Sequence, residues 1–245
     1  MRQFGLIGYP LGHSFSQPFF TEKFNREGIT DCVYQNFPIA EIGALKTVLQ
    51  NHPGLAGLNV TIPYKEQVIP FLHHMQPVVA AIGACNCIRI ENGELTGFNT
   101  DVIGFERSLA EKLQPTHTKA LVLGTGGAAK AVCYVLEQKG IAYCIVSRNP
   151  SGTNQIGYED VTPAIIDDHT LIINTTPLGM YPKVDTFPDL PYEAMSAKHY
   201  LFDLVYNPAQ TLFLRKGAEF GAATKNGMDM LVIQAEESWR IWNEK

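Results

Sequence analysis

The sequence predicts an α/β protein with two open, mostly parallel sheets, one of them a Rossmann-type dinucleotide-binding sheet. Three observations predict it. Short apolar runs alternate with helical patterns along the chain, as when strands are joined through crossover helices. A glycine-rich turn, Gly124-Thr125-Gly126-Gly127-Ala128-Ala129, lies between an apolar strand and a helix. The 245 residues suffice for two small domains, and 45% hydrophobic against 18% charged residues is enough to build their cores.

Taken in order, residues 4–8 form an apolar strand, and 18–27 a helix with Phe19, Phe20 and Phe24 on one stripe. Residues 33–37 are strand-like. Residues 40–50 place Ile42, Leu45, Val48 and Leu49 at helical spacing, and 55–60 form a strand that runs into Thr61-Ile62-Pro63. Asn92-Gly93, between strands 87–91 and 94–98, predicts a tight hairpin. Residues 101–113 read as a helix carrying Ile103, Leu109 and Leu113, broken by Gln114-Pro115-Thr116-His117-Thr118. A domain boundary is expected near this helix.

The second half repeats the alternation. Strands are predicted at 119–123, 142–146, 171–174 and 200–205. Helices are predicted at 128–139, closed by Gly140, and at 208–220, closed by Gly221. Residues 229–243 are amphipathic, with Leu231, Ile233 and Trp242 among the apolar positions.

Composition excludes several classes. The net charge is −5 and no Lys/Arg block occurs, so nothing is placed to displace phosphate counterions from a nucleic acid or to form a polybasic membrane patch. No apolar run is long enough to span a bilayer. The opening Met1-Arg2-Gln3-Phe4-Gly5-Leu6-Ile7-Gly8 reads as a strand rather than a signal peptide. The cytoplasm is therefore expected. Five cysteines at irregular spacing make no disulfide framework. Cys85 and Cys87 read as small buried residues on one strand face, because no second Cys/His pair with ligand spacing follows; no metal is expected. His73 and His74 read as solvated loop residues, and His13 as support for the neighbouring serines.

The glycine turn carries the sharpest chemistry. Gly124 permits the tight turn, and Gly126 lets backbone N–H groups approach a pyrophosphate. A small third residue lets the helix pack on its strand. The helix N-terminus, with Thr125, Gly127 and Ala128, then faces the phosphate charge. The next strand ends Ile145-Val146-Ser147-Arg148-Asn149-Pro150 and has no carboxylate for a ribose 2′-hydroxyl. Ser147 can donate to a 2′-phosphate, and Arg148 can pair with it. The cofactor read from this is NADP(H).

Four features of the first hundred residues complete a site. Ser14 and Ser16 follow the first strand. Thr61 and Lys65 follow the buried strand in Gly57-Leu58-Asn59-Val60-Thr61-Ile62-Pro63-Tyr64-Lys65. Asn86 offers an amide, and Asp101 a carboxylate at the end of Gly97-Phe98-Asn99-Thr100-Asp101. Singly, each has an ordinary structural reading; Asp101, for instance, suits a helix N-cap. Together they lie where open α/β sheets bind ligands, outside the carboxyl ends of strands, and point to a polyhydroxylated small molecule.

Across essentially the whole chain these segments resemble the shikimate dehydrogenase family. The resemblance rests on 57–65, 97–101 and 124–129, and on Asn174-Thr175-Thr176-Pro177-Leu178-Gly179-Met180. It continues in Asp203-Leu204-Val205-Tyr206-Asn207-Pro208 and in Asn226-Gly227-Met228-Asp229-Met230-Leu231 with Gln234. It implies reversible reduction of 3-dehydroshikimate to shikimate with NADPH, in aromatic amino acid biosynthesis. Ser14 and Ser16 would hold the substrate carboxylate, and Thr61, Asn86, Asp101, Tyr206 and Gln234 would surround the ring. Leu204 and Gly227 would lie near the nicotinamide. It further implies a substrate domain of residues 1–101 with 229–245, a nucleotide domain of 102–228, a cleft between them, and a monomer or homodimer.

Where the family commonly reads H-S-x-S-P-x-x-H-N, this chain has Gln17, Phe20 and Thr21 for the proline, histidine and asparagine. Cys87 stands for the threonine of G-A-x-N-T.

Reducing a ketone needs a hydride and a proton, and a hydride donor supplies no proton. Lys65 is the expected proton donor, its amine serving as base in reverse, with Asp101 orienting it. Quinate or aminoshikimate is the alternative substrate class. A non-catalytic cofactor-binding regulator should have lost Lys65 or Asp101, and both are present. An S-adenosylmethionine methyltransferase would want an acid where Arg148 stands.

Overall fold

A computed structural model describes residues 1–12 and 14–244; His13, read above as supporting the serine loop, lies outside them. The chain divides into two compact units, Met1–Thr100 with Ala235–Lys245, and Asp101–Gln234. No helix among the described residues is long and apolar enough to cross a membrane.

The first unit runs β1 (Arg2–Gly8), α1 (Ser16–Glu27), β2 (Cys32–Pro38), α2 (Leu45–Asn51), β3 (Leu55–Val60), β4 (His74–Met75), α3 (Pro77–Ile82), β5 (Cys87–Glu91) and β6 (Glu94–Phe98). Its sheet has the order β2-β1-β3-β5-β6-β4. β1 pairs in parallel with β2 and β3, whereas β5 runs antiparallel to both β3 and β6. β1 is central, so residues 4–8 are buried on both faces, which is why it reads as an unbroken apolar run. The hairpin turn has Asn92 at φ 52° and Gly93 at φ 83°, the left-handed pair a two-residue turn demands.

Two apolar layers flank this sheet. Leu45, Leu58, Val60, Val68, Val79 and Ile88 fill one side. Phe4, Phe20, Phe24, Tyr34 and Trp242 fill the other. Trp242 crosses β3 at Gly57, where a Cβ would stand 2.3 Å from the indole Nε1. That nitrogen donates to the Ile88 carbonyl at 2.9 Å, and the ring stacks on Phe4 at 4.9 Å.

α4 (Thr100–Ala110) leads into the second unit. β7 (Lys119–Leu123), α5 (Gly127–Gln138), β8 (Ala142–Val146), β9 (Gln155–Ile156), α6 (Pro163–Asp168), β10 (Leu171–Asn174), β11 (Tyr200–Asp203), α7 (Leu212–Glu219) and β12 (Ala223–Lys225) follow. α8 (Met228–Asn243) closes the chain, its residues from Ala235 onward belonging to the first unit. Every strand pair in this sheet is parallel. The order β12-β11-β10-β7-β8-β9 is the 3-2-1-4-5-6 order of dinucleotide-binding sheets counted from the other edge, and it reverses between β7 and β10. Leu121, Leu123, Ile172, Leu201 and Phe213 make one core layer. Phe105 meets Phe202 edge-on at 5.2 Å, and Gly104 lets α4 approach the Met230 carbonyl, 2.6 Å from where a Cβ would be.

Several expectations change. The helix expected at 40–50 is a short 3₁₀ turn, Ile42–Ala44, leading into α2. The helix expected at 208–220 begins only at Leu212, because Thr211 caps it by accepting from Leu214 N–H. α4 stops at Ala110 rather than 113, and β11 ends at Asp203 rather than 205. Cys85 precedes β5 instead of sharing it with Cys87, and its thiol bonds the Cys87 carbonyl at 3.3 Å. His74 lies in the short edge strand β4 and meets Glu94 at 3.1 Å; His73 Nδ1 accepts from Leu95 N–H.

Candidate active site

In the first unit, β1 and β3 run side by side and their carboxyl ends leave the sheet together. Thr61 N–H donates to Ile7 O at 2.9 Å, carrying the pairing one residue past β3. Tyr64 N–H then returns to the Thr61 carbonyl at 2.9 Å, closing a turn. Tyr64 is buried, with its phenol on the Ile39 carbonyl at 2.5 Å. Cys85 N–H donates to the Lys65 carbonyl at 2.7 Å. Lys65 is thus held by its main chain beside the Cys85-Asn86 turn, its side chain half-buried. This is a pinned turn, not the exposed start of a helix.

Asn86 is clamped just as firmly. Its main chain joins the ends of β3 and β6, accepting from Val60 N–H and donating to Phe98 O. Its side-chain oxygen accepts from Thr100 N–H at 2.6 Å, and its amide donates to Thr100 Oγ1 at 3.0 Å. An amide from one strand end therefore serves the first turn of α4. In the second unit, Asp101 sits in that first turn, 8% exposed, inside the helix rather than capping it.

The serine loop contributes a different signal. Ser14 Oγ is buried and has no hydrogen-bond partner among the described residues. A desolvated hydroxyl costs about 1–3 kcal/mol when unpaired, so the atom fits a ligand-binding role. The Ser16 hydroxyl, at the start of α1, neighbours the Tyr34 phenol, which burial raises well above its usual pKa.

Sequence reading missed the buried chain that ties these parts together. Tyr34 donates to Asn59 Oδ1 at 2.8 Å, and Asn59 Nδ2 donates to Ser238 Oγ at 2.9 Å. Ser238 Oγ meets Thr100 Oγ1 at 3.3 Å. The only trace in the sequence is an amide, Asn59, inside an otherwise apolar strand. Tyr34→Phe leaves the Asn59 oxygen without its donor and should cost about 1–3 kcal/mol, read as a lower urea midpoint.

In the second unit, the glycine turn follows β7. Gly124 has φ +106°, and a Cβ there would stand 2.9 Å from Thr175 Oγ1. Cβ atoms at Gly126 and Gly127 would meet no protein atom within 4 Å. The space that their missing side chains leave is the approach a pyrophosphate needs. Gly126 caps α5 with no side-chain bond to its first N–H groups, leaving these donors for an anion. Ala129 is buried against the sheet, as the small third position requires. The residues present fit a dinucleotide.

Ser147 closes β8 and accepts from Asn149 N–H at 3.2 Å, keeping its own proton to donate. Arg148 is exposed near Tyr158, whose phenol burial holds above its usual pKa, with the guanidinium opposing part of that rise. At the other end, Gly227 lies against Leu204, and a Cβ there would stand 2.1 Å from the Leu204 carbonyl oxygen. Tyr206 is half-buried, and that burial raises its phenol pKa. Gln234 is 9% exposed, its amide donating to Leu231 O at 2.9 Å. The structure thus gathers Ser14, Ser16, Thr61, Lys65 and Asn86 in the first unit. It places Asp101, the glycine turn, Ser147, Arg148, Leu204, Tyr206, Gly227 and Gln234 in the second.

Known proteins resemble this chain in sequence and in fold. Residues 6–88 match the family model of the shikimate dehydrogenase substrate-binding domain. The NADP(+) shikimate dehydrogenase of Desulforamulus reducens is 34% identical over 258 residues, spanning 97% of this chain and 88% of the relative. The shikimate 5-dehydrogenase of Thermus thermophilus, solved with NADP(H) and shikimate, superposes with a TM-score of 0.87 at 29% identity, covering 100% of this chain and 94% of that one. A quinate dehydrogenase from Corynebacterium glutamicum, solved with NAD, gives 0.88 at 26% identity over 100% and 94%. Similarity that extends through both units, and is not confined to a shared nucleotide-binding sheet, assigns the chain to the shikimate dehydrogenase family.

Proposed function

We propose that this chain catalyses the reversible, NADP-dependent reduction of 3-dehydroshikimate to shikimate, a step of aromatic amino acid biosynthesis. The observation that carries the reading is sequence identity of about a third over nearly the whole chain with NADP(+) shikimate dehydrogenases, joined to a glycine turn whose open space fits a pyrophosphate.

The residues divide the work. The Gly124, Thr125, Gly126, Gly127 and Ala128 turn holds the diphosphate with backbone N–H groups. Ser147 and Arg148 take the 2′-phosphate, and Leu204 and Gly227 flank the nicotinamide end. NADPH, when bound, supplies the hydride. Ser14 and Ser16 hold the substrate carboxylate, and Thr61, Asn86, Tyr206 and Gln234 fix the ring. Lys65, as ammonium, delivers the proton to the carbonyl oxygen, and as amine removes it from the hydroxyl in reverse. Asp101 orients Lys65 and accepts from a ring hydroxyl. A cytoplasmic enzyme acting as monomer or homodimer suits this role, and all five cysteines are free thiols.

The test is absorbance of NADPH formed with shikimate and with quinate, each with NAD and NADP. Rapid turnover of shikimate with NADP is expected; a preference for quinate, or no turnover with either, overturns the reading. Arg148→Leu should raise the NADP KM roughly tenfold to a hundredfold, the loss of one charge-assisted phosphate contact, and leave the NAD KM nearly unchanged. An unaltered cofactor ratio would leave Arg148 a plain surface cation.

A further inference from the structure

The second unit buries one carboxylate that the mechanism above does not use. Asp203 ends β11 with no exposed surface. Among the described residues it has no ion-pair partner, and the ionisable group facing it is the buried phenol of Tyr192, which donates to Pro188 O. A buried carboxylate without a cation persists only where donors meet both its oxygens. Here the donors come from three separate segments. Asn174 Nδ2, at the end of β10, donates to Oδ1 at 2.9 Å. Val205 N–H, two residues beyond Asp203, donates to the same oxygen at 3.0 Å. Thr211 Oγ1, the cap of α7, donates to Oδ2 at 2.5 Å.

Those contacts extend on both sides. Asn174 Oδ1 accepts from Thr176 N–H at 3.0 Å and Thr176 Oγ1 at 2.6 Å. Thr175 Oγ1 donates to the Leu123 carbonyl at 2.6 Å, and both threonines pack against Gly124. On the other side, Gly227 N–H donates to the Val205 carbonyl at 3.2 Å. One carboxylate thus stands between the glycine turn and the Leu204–Gly227 pair without lining either.

We propose that Asp203 is the positioning residue of the cofactor site, holding the 204–206 turn in register with the loop after β10 so that the nicotinamide half of the cofactor meets a preformed surface. This rests on reading the second unit as an NADP site. The ionised form accepts from all three donors; with Oδ2 protonated the same three contacts persist, the carboxyl then donating to the Thr211 hydroxyl, which can play either role. Burial pushes this carboxyl up to about 6, and the positioned geometry is expected on both sides of that pH.

The experiment is calorimetric titration of wild type, Asp203→Ala and Asp203→Asn with NADP and with adenosine 2′,5′-bisphosphate, which lacks the nicotinamide half. Asp203→Ala should weaken NADP roughly tenfold or more and the bisphosphate hardly at all. Asp203→Asn keeps one acceptor oxygen, and its amide can donate to Thr211, so it should restore most of the NADP affinity. An unchanged ratio of the two affinities in Asp203→Ala, or an Asp203→Asn as weak toward NADP as Asp203→Ala, overturns the proposal. If Asp203→Ala does not fold, Thr211→Val, which removes the donor to Oδ2, is titrated in its place, and an unchanged ratio there overturns the proposal. Wild type that binds neither ligand would overturn the cofactor reading itself, a result distinct from either.

Discussion

Replacing Lys65 by Met is expected to lower kcat by roughly 10²–10⁴, the usual contribution of one positioned proton-transfer group. Its main chain is anchored by Cys85 N–H and by the Thr61–Tyr64 turn, so the substitution removes the ammonium without releasing the loop. Shikimate should still bind, because its carboxylate is assigned to Ser14 and Ser16. Asp101→Asn keeps the size and one hydrogen-bonding edge but removes the charge proposed above to orient Lys65; it should lower kcat and also weaken ring binding. Two residues acting as one unit lose their function together, so the double mutant should be far less impaired than the product of the single effects. Single-turnover and steady-state rates of the three variants provide the check. Near-wild-type turnover in Lys65→Met would remove the proton-transfer assignment. Multiplicative losses would leave both residues important but uncoupled.

The second large effect concerns stability. Trp242→Ala should destabilise the first unit by about 3–5 kcal/mol, the range for emptying a buried aromatic site. Trp242 is 6% exposed, stacks on Phe4 and donates to Ile88. Truncation opens a cavity between α8 and the sheet and leaves the Ile88 carbonyl without that donor. The loss is a large share of the roughly 5–15 kcal/mol that holds a typical domain folded. A urea melt should show a lowered midpoint; a midpoint within error of wild type would mean the neighbouring rings collapse into the space.

The parts that were legible share a physical cause. β7, the glycine turn and α5 were readable because a tight turn, a close phosphate approach and a helix start each demand a residue type locally. The Asn92-Gly93 hairpin was readable for the same reason. α3 and α6 were missed although each starts with a proline, and α6 also has Thr162 as its cap. At six residues each, neither is long enough to show a periodic stripe. β4, β9 and β12 are two or three residues long, and an edge strand of that length has no alternation to detect. In the site, Ser14, Thr61, Lys65 and Asn86 were visible as polar residues at strand ends. Tyr34, Asn59 and Ser238 were not, because their roles depend on partners at |i−j| = 25 and 179. Asp203 was visible only as a letter in a family segment. What it holds together depends on β10, β11 and α7 meeting at one point.

The aromatic layer of the first unit also has a spectroscopic consequence. The chain contains two tryptophans, Trp239 and Trp242, and both belong to that unit, set among Phe4, Phe20 and Phe24. Indole emission is therefore an intrinsic reporter of one half of the molecule, while backbone dichroism reports on both. Followed side by side during denaturation, the two signals show whether the halves lose structure in one cooperative step or in two, with no label introduced. Substitutions in the nucleotide-binding half leave the emitting groups themselves untouched, so a shift in their emission would report a change transmitted from a distance.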